Sequence, residues 1–215
     1  RTKIFICFLV PIFFLIFVGI ISYEKAAEGM TETFCESSQQ TIRMAGEYID
    51  VGNSFIESEA LKYAFNSQLG KYLMGLYEVD PIQRKEILNS VSSDIRASQV
   101  ANDFINNIFI VTNEELQMFT TSGTNNKKRN YTDYNNEVMA LSENGTKAPA
   151  WIDSHASLDD YLGLSSSDYI LSYETTPQTG KGYIVIDVSS YAIKTFLSNL
   201  NLGTGSIVGF VSPNG

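Results

Sequence analysis

Cysteine and histidine are nearly missing from this 215-residue chain, which has two of the first and one of the second. Cys7 lies inside a long apolar run and Cys35 outside it, so they cannot pair within one chain, and disulfides do not hold the fold together. A histidine-based metal site or a Ser-His-Asp triad would have to use His155. That residue sits in a polar segment, IDSHASLDD, and reads as a solvated loop residue; Asp153, Asp159 and Asp160 read as solvated loop acids. No G-x-S-x-G nucleophile turn occurs, and Gly203-Thr204-Gly205-Ser206 lacks the lysine of a phosphate loop. No enzymatic activity, catalytic residue, metal or cofactor is expected. Internal repeats and low-complexity tracts are also missing.

Positive charge is scarce beyond the first few residues. All 24 acidic residues follow Ile21, against 13 basic ones, a net charge of −11. This balance argues against nucleic acid or an anionic lipid surface as a partner.

What the chain does have is Ile4 to Ile21, IFICFLVPIFFLIFVGII, apolar and free of charge. As a helix it would extend about 27 Å, enough to cross a bilayer. Pro11 is tolerated in such a helix because neighbours re-satisfy the freed carbonyl. A cleaved signal peptide would need small residues just downstream, where Ser22-Tyr23-Glu24-Lys25-Ala26-Ala27 offers bulky and charged ones. An uncleaved anchor is the reading favoured. Arg1 and Lys3 place the short end in the cytoplasm and the bulk of the chain outside the cell membrane. The chain opens on Arg1, stops in a turn-like Ser-Pro-Asn-Gly, and is read as a fragment. Asn130 and Asn144 begin N-x-T sequons, relevant only where exported proteins are glycosylated.

Residues 24 to about 78 read as helix. One stripe runs Met30, Phe34, Thr41, Met44, Tyr48, Val51, Phe55, and a second runs Ile42, Ala45, Ile49, Ile56, Ala60. Two stripes are more than a single narrow seam needs, so one side is expected to pack on its own domain and the other on a second subunit. Asp80-Pro81 opens another helix, over 81 to 100, ending near Ser98. INNIFIVT (105–112) and LQMFTT (116–121) flank Asn113-Glu114-Glu115 as a hairpin. A short helix is placed at Thr132 to Leu141 and a short strand near Trp151-Ile152-Asp153. YILSYET (169–175) and GYIVIDV (182–188) form a second hairpin. An amphipathic helix follows at Ser190 to Leu200, with Ile193, Phe196, Leu197 and Leu200 on one face, and then a strand at Ser206 to Val211. The sum is an α+β fold: an antiparallel sheet of about five strands, two hairpins around a short middle strand, with helices on one side.

This order of parts resembles the Cache sensor region of bacterial methyl-accepting chemotaxis proteins. The resemblance is carried by the anchor running into Ser22-Tyr23-Glu24-Lys25-Ala26, by the helix with Tyr48-Ile49 and Ala60 to Ala64 leading to NNIFIVTNEELQMFTTSG, and by GYIVIDVSSYAIKTFLSNLNLGTGSIVGFVSPNG. It covers nearly the whole chain, and the order of the motifs is its specific part. It implies a PAS-like fold in a double-Cache arrangement, a homodimer, and a cytoplasmic signalling part beyond a second membrane helix. The expected divisions are an anchor (1–22), a helical stalk with a connecting helix (23–100), a PAS-like membrane-distal module (101–202) and the start of a membrane-proximal one (203–215).

Strand alternation selects the candidate ligand residues. Tyr183, Val185 and Asp187 share one face, and Ile184, Ile186 and Val188 the other, which belongs in the core. A carboxylate on a central strand needs a partner, and a ligand ammonium is one. The competing role for Asp187 is to cap the helix near Ser189. Tyr169, Leu171 and Tyr173 share a face across the hairpin, and Trp151 closes the space, giving an aromatic cage for a small cation, amine or other small metabolite. The amino-acid-binding branch of the family is expected to carry an Arg two residues before a Trp; here that place is Pro149, so its carboxylate clamp is absent. The expected function is ligand sensing outside the cell, transmitted through the membrane. The same sensor on a histidine kinase or diguanylate cyclase, and an anchored exported enzyme or structural protein, stay open as alternatives.

Overall fold

The computed structural model describes residues 2–76, 80–112, 118–121, 123–125, 130–143, 149–200, 202–203 and 205–211. It divides into two compact units: residues 1–47 with 200–206, and residues 48–199 with 207–215.

The apolar run and the polar residues after it are assigned to helix α1 (Thr2–Ala64), with Pro11 inside it; its residues up to 47 belong to the first unit and the rest to the second. The apolar window is wholly unburied, and the helix is long and apolar enough to cross a membrane by length and composition. Thr31, Thr33 and Thr41 turn their hydroxyls back to the carbonyls of Ala27, Gly29 and Ser37 at 2.8–2.9 Å, so these polar side chains serve the helix itself.

The second unit is built on a six-stranded, wholly antiparallel sheet of order β3-β2-β1-β6-β5-β4. Its strands are β1 (Ile105–Val111), β2 (Met118–Thr120), β3 (Gly123–Asn125), β4 (Ala150–Ile152), β5 (Tyr169–Thr175) and β6 (Tyr183–Ser189). Both expected hairpins form, but they join through β1 and β6 at the centre, and β4 lies at an edge rather than between them. The Asn113-Glu114-Glu115 turn lies outside the described residues.

The helices α2, α3 and α6 each start where the preceding residue caps them with its side chain. The expected helix from 24 to 78 ends at Ala64, because Asn66 takes an extended conformation and accepts from the Leu69 amide at 2.9 Å, opening α2 (Ser67–Leu73). Asp80 does the same for α3 (Pro81–Ala101), accepting from the Ile82 amide at 2.9 Å with Pro81 in the first turn. Ser189 caps α6 (Ser190–Ser198), accepting from the Ala192 amide at 3.2 Å, so Asp187 is not that cap. α4 (Asn130–Glu143) covers the expected short helix and extends past it, and α5 (Ala156–Leu162) was not expected.

Helices cover both faces of the sheet, not one. Ile108, Ile110, Ile184, Ile186 and Val188 meet the end of α1 (Ile56, Ala60, Tyr63) with α2, α3 and α6. Phe109, Val111, Val185 and Tyr183 meet Tyr134 of α4 and Leu158 of α5. The central strands are apolar on both sides, so one covered face would leave the other wet. α1 approaches Phe104 closely because Gly52 lacks a side chain; a Cβ there would stand 2.3 Å from the ring. The second apolar stripe is buried at Ala45, Ile56 and Ala60, while Ile42 is exposed; on the first stripe Met30, Phe34, Met44, Tyr48, Val51 and Phe55 are exposed. Residues 206–211 take no strand conformation, so the expected strand there does not form among the described residues.

Candidate functional site

The site grows from β6. Its neighbours each insert one extra residue at the same level: β1 between Ile105 and Asn107, and β5 between Tyr169 and Ser172. Bulges of this kind re-aim side chains and are common beside functional sites. Beyond them Asn107 and Ser172 stand on either side of Asp187. The Ser172 hydroxyl donates to Asp187 Oδ1 at 2.7 Å, and Asn107 Nδ2 donates to Oδ2 at 3.3 Å.

His155 completes the carboxylate's surroundings. Its Nε2 lies 2.7 Å from Asp187 Oδ1, with both side chains 0% exposed. Its Nδ1 lies 3.3 Å from Asp159 Oδ1, and neither of those two atoms has hydrogen-bond geometry with any group among the described residues. Tyr169 stacks on the imidazole at 4.6 Å and 16°, and its hydroxyl donates to Asp159 Oδ2 at 2.8 Å. Phe109 meets the ring edge-on at 5.6 Å. Burial pushes the His155 pKa down, but the bond to Asp187 and the charges of Asp187 and Asp159 outweigh it and hold the imidazole above 6.5. Burial, with the bond to Asp159, pushes the Tyr169 hydroxyl up.

A second carboxyl, Glu174, is 3% exposed on the same face and accepts from the Tyr134 hydroxyl. Burial raises its pKa, the Tyr134 bond lowers it, Glu137 raises it and His155 lowers it; the net direction is up. Glu137 of α4 accepts from the amides of Ala156 and Ser157 at 2.7 and 3.0 Å and so caps the start of α5. Gly163 ends that helix with φ 67°, a left-handed turn that suits glycine.

The five expected ligand residues fall on two sides of the sheet. Asp187, Tyr169 and Tyr183 face α4 and α5, where the Tyr183 hydroxyl donates to Asn135 Oδ1 at 2.6 Å. Trp151 and Tyr173 face α1, with rings 5.0 Å apart and Trp151 Nε1 donating to Glu57 at 3.0 Å. Period-two counting places Tyr169 and Tyr173 together, but the β5 bulge reverses the parity between them. His155 is a correction: it is a wholly buried partner of Asp187, not a solvated loop residue. Its signal was the spacing of Leu158, Tyr161 and Leu162, a helical face that puts Asp159 one turn from His155.

No family model, curated protein or solved structure matches this chain.

The arrangement is a largely buried face on which one imidazole stands between the carboxyl groups of Asp187 and Asp159. Among the described residues no group of three or more metal-ligating side chains is placed to hold an ion. Asp187 Oδ1 faces both the His155 ring nitrogen and the Ser172 hydroxyl at 2.7 Å.

Proposed function

We propose that this chain is the ligand-sensing part of a membrane receptor of the Cache type, serving chemotaxis or a related signalling output. The observation that carries the reading is that one chain holds an unburied apolar helical window, long enough to cross a membrane, and a separate α+β sheet unit with its own core. A ligand that binds two arrangements of such a helix unequally shifts the balance between them. The exposed stripe of Met44, Tyr48, Val51 and Phe55 would meet the same stripe of a second copy in a homodimer.

The ligand site on this reading is the α4–α5 face, with Asp187 as the charged anchor and Tyr169 and Tyr183 as aromatic neighbours. A small amine or other cation would take the place of the imidazole beside Asp187. Trp151 and Tyr173 would sit behind the sheet and pass movement of β4 and β5 to α1 through Glu57.

Calorimetry on the purified chain in detergent, against amines, organic acids and amino acids, tests this. An amine should bind, and Asp187→Asn should weaken it at least tenfold while the protein still melts cooperatively. A ligand indifferent to that substitution would move the site elsewhere.

A further inference from the structure

His155 is the only histidine in the chain, and both of its ring nitrogens face carboxylate oxygens. A neutral imidazole has one N–H and one bare lone pair, so it can satisfy one of the two carboxylates and must turn a lone pair toward the other. Only the doubly protonated ring turns an N–H toward both, hydrogen-bonded to Asp187 and ion-paired at 3.3 Å with Asp159. The two carboxylates belong to different layers: Asp187 to the central strand of the sheet, Asp159 to the first turn of α5. His155 itself stands at the start of α5, where its carbonyl accepts from the amides of Leu158 and Asp159 at 3.0 and 3.1 Å. The ring therefore ties the beginning of that helix to the sheet.

We propose that α5 is held against the sheet by a proton, with His155 as a latch that is closed when doubly protonated and loosened when it gives that proton up. The inference rests on the packing of this layer and holds whether or not the chain is a receptor.

The groups around the latch set the sign of its response. Asp187 faces it from β6, Asp159 from α5, Tyr169 and Glu174 from β5, and Tyr134 and Glu137 from α4. Asp153 lies two residues before it, with one buried oxygen that has no hydrogen-bond partner among the described residues. The strand β1 contributes Phe109 and Asn107, which do not titrate. The acidic neighbours favour the imidazolium, so the folded pKa lies above 6.5. Below 6.5 the latch is closed and the opening of α5 is independent of pH. Between that value and the folded pKa, opening rises by up to about tenfold per pH unit, and above the folded pKa it levels off. Glu174, also shifted upward, responds in the same direction and must be separated from His155.

Hydrogen exchange of the purified chain in detergent, followed by mass spectrometry from pH 6 to 9 and corrected for intrinsic exchange, reads this directly. A peptide covering 156–162 should lose protection across that range, while one covering 183–189 holds. His155→Gln should remove the imidazole's part of this slope, because glutamine does not titrate. Glu174→Gln should keep the slope of the unaltered protein. A flat profile in the unaltered protein, or an unchanged slope in His155→Gln, overturns the latch. If His155→Gln does not fold, the imidazole titration decides, since a single histidine gives a single side-chain NMR signal. A pKa above 6.5 that coincides with α5 opening supports the latch, and one at or below 6.5 overturns it.

Discussion

Glu174 and Tyr134 are each almost free of solvent contact, and the phenol donates a hydrogen bond to the carboxyl. A buried acceptor that loses its donor retains the cost of its desolvation. Tyr134→Phe should therefore destabilise the domain by about 1–3 kcal/mol in urea or thermal unfolding. The loss should be larger at pH 8 than at pH 5, because without the Tyr134 bond the Glu174 pKa rises further and ionisation then weighs against folding. An unchanged midpoint would mean that this bond contributes nothing. Such pairs are hard to read in a sequence. Tyr134 and Glu174 are 40 residues apart, and nothing local marks them as partners. The split of Ile184, Ile186 and Val188 from Tyr183, Val185 and Asp187 was legible because it depends only on the two-residue period of a strand. That Tyr169 joins Asp187 while Tyr173 does not was hidden, because one inserted residue in β5 reverses the count.

At the scale of elements, the strands of both hairpins and the Asp80-Pro81 start of α3 follow from local pattern and capping. The central pairing of β1 with β6, and the second helical layer, depend on long-range burial that a linear reading does not contain. The two stripes of α1 show the same limit. Periodicity found both, and packing decides that the second faces the core at Ile49, Ile56 and Ala60. The first stripe then remains for a second copy. Cys35 is exposed and lies on the helix side of the second stripe, so mild oxidation should leave it as monomer. Val51→Cys in a Cys35→Ser background should instead give crosslinked dimers on a non-reducing gel. Crosslinking through Cys35 with none through position 51 would reverse the assignment of the faces.

For the whole molecule, the central claim is that α1 is a permanent tether which keeps the sheet domain outside the cell and attached to the membrane. The unburied apolar window and the basic residues before it support this claim. Cys35 reports on it directly, because it is exposed and lies beyond the apolar run. The decisive measurement is labelling of intact cells with a membrane-impermeant maleimide, followed by separation of medium, wash and membrane fractions. The account predicts labelled, full-length chain that stays in the membrane through an alkaline wash, with a Cys35→Ser chain unlabelled. A labelled product free in the medium and trimmed near Ala27, or a membrane-bound chain that labels only after the cells are broken, would contradict it.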